Sequence, residues 1–346
     1  MNIKKSGEYS MKSPVKGKRL SGLLTSLFAI TVTLSSNVWS NDSKVPDWYL
    51  HLNVKGMQQS ALVQHQTSDH QQAKQFINLL LGKDAIEQLN DVTAFGFGEE
   101  RKVVLLKGNF ENHKNNIVNQ WQILGLTSNE SHNKVKIYHN TANDILKRFH
   151  ALAKAKGLID PEDEFEVSEQ DKHSKTPTVL YTAIASSQHV LVSDHLGELK
   201  HQLTQTTALP KQNPDSMFEV IVDVKKALLH GGVNIDGLEQ NNFQFESISA
   251  KQLSQASVSY SEQGDYSTLQ LGLSADTQEV ANNIKAIAKG IIALKRFSNT
   301  DPAVNHLLNN IRFEQSGGEL LMTVSGSVEA FKRLKDDRKH SVDKQP

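Results

Sequence analysis

WYLHLNV at residues 48–54 and FEVIVDV at residues 218–224 decide the fold between them. In the first, Trp48, Leu50, Leu52 and Val54 fall on one face, with Tyr49, His51 and Asn53 on the other. That is the period-two alternation of a strand. The second stretch repeats it in register: Leu50, Leu52, Asn53, Val54 and Lys55 align with Val220, Val222, Asp223, Val224 and Lys225.

Outward from the first stretch, a helix is expected where Ser68 and Gln71 have capping-box spacing and Phe76, Ile77, Leu80 and Leu81 form a stripe, closed by Gly82. Strands Val92–Phe97 and Lys102–Lys107 make a hairpin. A helix over 114–124, a strand over 134–138 and a helix over 142–156 follow. The acidic stretch from Asp160 to Lys175 leads to a second hairpin, 179–185 with 190–192, and a helix starting at Ser193-Asp194.

Outward from the second stretch come a short helix to Leu229 and a hairpin pairing 256–261 with 268–273. A long helix then runs from Asp276 to about Phe297, before a last hairpin (311–315, 319–324) and a helix over 328–334. Asn115, Asn116 and Ile117 match Asn282, Asn283 and Ile284, after hairpins ending in Val104/Leu106 and Leu271/Leu273. These parallels predict an α+β protein of two similar halves from a possible duplication, each an antiparallel sheet with helices packed on one face. The expected divisions are a signal peptide at 1–40, a first half at 41–208, a linker at 209–216, a second half at 217–335 and a flexible tail at 336–346.

The long helix carries the clearest pattern. Asp276 and Glu279 are expected to cap it, and Val280, Ile284, Ile287, Ile291 and Leu294 draw one apolar seam with Lys285, Lys289 and Lys295 off it. Such a seam is expected to lie across a sheet. Its interruption by Ala and Gly290 argues against a seam for a partner helix or a membrane surface.

The first forty residues have the build of a secretory signal. Lys4, Lys5, Lys12, Lys16, Lys18 and Arg19 precede an apolar run from Leu20 to Leu34, and Val38 and Ser40 prepare a cut before Asn41. The apolar run is too short and too diluted by Ser and Thr for a spanning helix, so no membrane span is expected after cleavage. The expected location is the periplasm of a bacterium or the exterior.

The whole chain balances 38 basic against 38 acidic residues, and removing the leader leaves the remainder about −5. Nucleic acid is not an expected partner, since phosphate binding needs clustered excess cations. The absence of cysteine removes disulfides, thiolate metal sites and thiol nucleophiles.

Motifs for catalysis fail on inspection. Ile77 stands where a phosphate loop ending in Gly82-Lys83 needs its first glycine, and Gly96-x-Gly98 is followed by Arg101 in place of a third. The chain has no GxSxG and no HExxH. The acidic run from Asp160 to Asp171 has Phe165 where a calcium loop needs glycine and reads as a solvated loop.

Histidine is abundant at 14 residues. The metal-ligand candidates are His65, Asp69 and His70 in one cluster and His189 with His195, flanking Asp194, in another. Neither has the spacing that aims two rings at one ion, and Ser68-Asp69 and Ser193-Asp194 read first as helix caps. No cofactor is expected.

The function read from these residues is a non-catalytic binding or protein-interaction module of the cell envelope, with an unassigned protein or small-molecule partner. The rival readings are a hydrolase using dispersed His and Asp/Glu residues and a histidine-based metal binder.

Overall fold

The computed structural model describes residues 45–64, 78–82, 84–98, 101–157, 178–205, 207–210, 213, 215–230 and 251–333. The first half contributes β1 (Trp48–Asn53), α1 (Val54–Gln59), β2 (Leu89–Phe97), β3 (Arg101–Gly108), α2 (Lys114–Ile123), β4 (Thr127–His132) and β5 (Val135–Thr141). It continues with α3 (Ala142–Ala155), β6 (Val179–Ile184), β7 (His189–Ser193) and α4 (Leu196–Thr204). The second contributes β8 (Ser216–Asp223), α5 (Val224–His230), β9 (Leu253–Gln263), β10 (Tyr266–Ala275), α6 (Gln278–Ser298), α7 (Pro302–Asn309), β11 (Arg312–Ser316) and β12 (Glu319–Ser327). Residues 328–333 are helical.

The twelve strands of the described residues form one sheet, in the order β11-β12-β10-β9-β8-β1-β2-β3-β7-β6-β5-β4. The fold is α+β and the strand pairings are antiparallel. Instead of two separate sheets, the halves share one, joined by β1 against β8 with Leu50 opposite Val220. Each first strand would otherwise present a long apolar edge, and pairing the two removes both edges.

From that junction the strands run β1-β2-β3-β7-β6 on one side and β8-β9-β10-β12-β11 on the other. Residues in register form one row across them. Leu50, Ala94, Val104, Val192 and Thr182 lie on one side, and Val220, Val258, Leu271, Met322 and Phe313 on the other.

In the first half, helices lie on both faces of the sheet, an arrangement beyond the expected single helical layer. On one face, Ile117 and Trp121 of α2 and Ile145 and Phe149 of α3 pack with Val190 and Tyr138, backed by Val92 and Leu106. On the other, Leu199 of α4 packs with Tyr49, Phe95, Val103 and Leu191. The reason is local: strands such as 103–106 (VVLL) are apolar on both sides, so each side needs a cover.

The strands of the second half alternate more strictly. Val220, Val258, Leu269, Leu271, Leu273, Met322 and Val324 share the face that carries the row above and are only partly buried. Ser257, Ser259, Thr268, Gln270 and Thr323 take the opposite face.

A buried carboxylate fastens the junction. Asp47 accepts from the Gly98 N–H at 2.6 Å and from Lys226 Nζ at 2.5 Å, while its carbonyl accepts from the Asp223 N–H at 2.7 Å. Lys226 also reaches Asp223 at 3.7 Å. Burial would lower the Lys226 pKa, but hydrogen bonding and attraction to Asp47, aided by Asp223, hold the ammonium above its ordinary value.

Two capping residues differ from expectation by one or two positions. Thr277 caps α6, its hydroxyl accepting from the Val280 N–H, while Asp276 pairs with Lys225 at 2.8 Å. His195 caps α4, because Asp194 is engaged by the Lys102 N–H across the sheet. The expected Ser68 cap, the acidic stretch and the tail lie outside the described residues.

Candidate functional site: the outer face of α6

The structure departs most from the sequence expectation along α6. Val280 and Ala281 are buried, so the helix begins seated on the sheet. The same seam then emerges into solvent: Ile287 is 37% exposed, Ile291 55% and Leu294 70%, and Phe297 just beyond it is 93% exposed. The expectation that the whole seam faces a core therefore holds only for its first turns.

The cause lies in how α6 is tethered. Thr277 fixes its start, and Lys285 Nζ donates to Gln315 Oε1 at 3.3 Å on β11. Lys289 stands 5.8 Å from the centre of the Phe313 ring. Near the C-terminus, Arg296 donates to the Leu308 carbonyl at the end of α7. These polar tethers turn Ile292 partly inward and leave Ile287, Ile291 and Leu294 outward.

From Ala286 to Phe297 (AIAKGIIALKRF) the only polar side chains are Lys289, Lys295 and Arg296. At 3.6 residues per turn, Lys289 and Arg296 border the outer face on one side and Lys295 on the other. Between them lie Ala286, Ile287, Gly290, Ala293, Leu294 and Phe297, all exposed. No acidic residue follows Glu279 within the helix. The surface is an apolar strip with cationic margins, suited to holding an apolar partner by burial and an anionic one by attraction.

No protein-family model matches this chain, and no curated protein matches it. Among solved structures, crystal form III of TP0453 aligns at 11% identity with a TM-score of 0.45, over 83% of this chain and 93% of that one. Crystal form I of TP0453 aligns at 11% identity with a TM-score of 0.41, over 84% and 93%.

The histidine candidates do not converge. His65, Asp69 and His70 lie outside the described residues. His189 sits at one end of β7, its Nδ1 3.0 Å from Ser186 Oγ. Its pKa is lowered by burial and by Lys107 on the neighbouring strand. His195 lies beyond the other end of β7, a strand about 13 Å long from His189 to Ser193, and there its Nδ1 accepts from the Glu198 N–H. Both rings serve turns and caps. Among the described residues, no group of three or more His, Cys, Asp or Glu is arranged to hold a metal.

A different polar cluster escaped the sequence reading. Asp91, His51 and Glu219 share one face of the sheet on three successive strands, β2, β1 and β8. His51 is 4% exposed, and its Nε2 lies 3.2 Å from Asp91 Oδ1. Burial raises the pKa of Glu219, against a hydrogen bond from the Asn213 backbone and the influence of His51.

A histidine held by an aspartate supplies two of the three members of a catalytic triad, but His51 Nδ1 is buried without a hydrogen-bond partner. No hydroxyl among the described residues hydrogen-bonds to Nδ1, Thr93 on the facing strand included, so as arranged the cluster does not assemble a triad. Alternation alone could have placed His51 and Glu219 inward from their strand positions, but nothing in the sequence showed that β1 and β8 are neighbours.

Proposed function

We propose that this chain is an exported, non-catalytic binding module of the cell envelope, and that the outer face of α6 is its binding surface. One observation carries the reading. In the alignment of the two halves, α2 corresponds to the first turns of α6, with Ile117 matching Ile284, so that Leu124 matches Ile291. Leu124 is 1% exposed, in the core with α3, whereas Ile291 is 55% exposed. The first half covers this position with its own chain, and the second leaves it open to a partner.

The correspondence itself supports descent of the halves from one duplicated unit. The aligned pair Leu50 and Val220 are also opposite one another at the β1–β8 junction. Val104 and Leu271, aligned from the sequence, stand at the same step of the two pairing rows. The leader supports export, and among the described residues no helix is long and apolar enough to cross a membrane.

The absence of cysteine permits a direct test. Leu294→Cys introduces a single thiol on the proposed surface. It should react readily with a maleimide in the purified mature protein and be protected in the intact envelope, from which N-terminal sequencing should return a chain starting at or near Asn41. Equal labelling in both settings would sink the binding-surface reading.

A further inference from the structure

We infer that the partner of the α6 face is an anionic lipid surface, with α6 lying in the plane of the headgroups; this rests on the binding-surface reading above. Three features of the strip select that occupant. Its long dimension is a continuous helix from Ala286 to Phe297 with an apolar centre, the form that buries its face at the boundary between headgroups and acyl chains. Its cations stand at the margins, where Lys and Arg side chains can reach headgroup phosphates while the centre sinks.

The third feature is the unbalanced sign of the charge. Lys285, Lys289, Lys295 and Arg296 are met by no acid on α6 beyond Glu279 at its start. The chain after the leader is net negative, so this local excess of cations opposes the overall balance. A second copy of the chain fits poorly, because stacking α6 on α6 would bring two identical cationic margins together. Anionic headgroups supply the missing sign over the whole strip at once, with about 1 kcal/mol gained per cation near such a surface.

The outer part of the helix is also the part free to sink. Its inner side is held by Lys285 and Lys289 on β11 and by Arg296 on α7, and the opposite face is open. Docking therefore needs no unfolding of the sheet. The helix would lie on the surface and not span it, and the small residues that interrupt the seam in the sequence, Ala286, Gly290 and Ala293, sit on the exposed face and widen the apolar strip.

The test is flotation of the whole mature chain with vesicles of phosphatidylcholine alone or with about one-third phosphatidylglycerol, in low and high salt. A solvent-sensitive fluorophore on Leu294→Cys reads the local environment. Co-flotation with the anionic vesicles only, a blue shift of the probe and release by salt are the expected results. Lys289→Gln and Lys295→Gln should each weaken partition about fivefold, and Ile291→Asp should abolish the blue shift while leaving the circular dichroism unchanged.

Indifference to lipid charge, or no flotation at all by the unsubstituted chain, would overturn the inference. If Leu294→Cys were protected in the envelope yet the chain ignored anionic vesicles, the occupant would be another molecule, such as an acidic amphipathic helix. In that event the binding-surface reading would survive and the lipid inference would fail. Labelling without protection in the envelope would remove both.

Discussion

Glu219 shows how a single side chain registers the tertiary fold. On sequence it is one polar position in an alternating strand, but pairing with β1 sets it opposite His51, with Oε2 buried and without a hydrogen-bond partner. Burial raises its carboxyl pKa in the folded state. The native chain then holds more protons than the unfolded chain between the two pKa values, so stability falls as pH rises through that window. Glu219→Gln keeps the shape and removes the charge. It should raise Tm at neutral pH, with the gain vanishing as pH drops below the ordinary carboxylate range and both forms become neutral. Melts across that range would check it, and a lower Tm for the variant at neutral pH would mean that the carboxylate is stabilising.

At the scale of the element, α6 shows why periodicity predicts a helix better than it predicts what the helix touches. The seam from Val280 to Leu294 was legible, and a helix of 21 residues forms there. Its cap, Thr277, sits one residue later than the sequence predicts, since Asp and Thr are both good caps and the Asp276–Lys225 pair decides between them. Thr277→Ala should therefore cost about 1 kcal/mol of stability, as loss of an N-cap does. Asp276→Ala should cost less, because its pair with Lys225 is exposed. Hydrogen exchange should also divide the helix, with protection high around Ile284 and lower from Ile287 onward, because local opening is easiest where apolar contacts are few. Uniform protection along α6 would mean that its outer half is held by contacts beyond those described.

At the scale of the molecule, one sheet passes through both halves. The α+β class, the strands and most of the hairpins followed from alternation and turn residues, because neighbouring strands joined by short turns are local features. The fusion of β1 to β8 joins residues about 170 apart in the alignment offset of Leu50 and Val220, and no local signal encodes it. The expected linker matters less than the junction it serves. A protease cut engineered between 207 and 215 should leave two fragments that co-elute and melt together, held by β1–β8 pairing and by Asp47 with Lys226. Separation of the fragments under native conditions would show that the halves are independent units.

By itself, the sequence determined which segments alternate, which segments carry a helical stripe, and how the two halves align. Those properties depend on side chains a few positions apart. Only the tertiary structure decided that the halves share a sheet, that His51 meets Asp91 and faces Glu219, and that the outer half of α6 is left open. An amphipathic stripe has the same spacing whether its own sheet or another surface covers it. The difference rests on long-range contacts: α3 closes the core over α2, while α6 is tethered by polar groups that hold its apolar strip toward solvent.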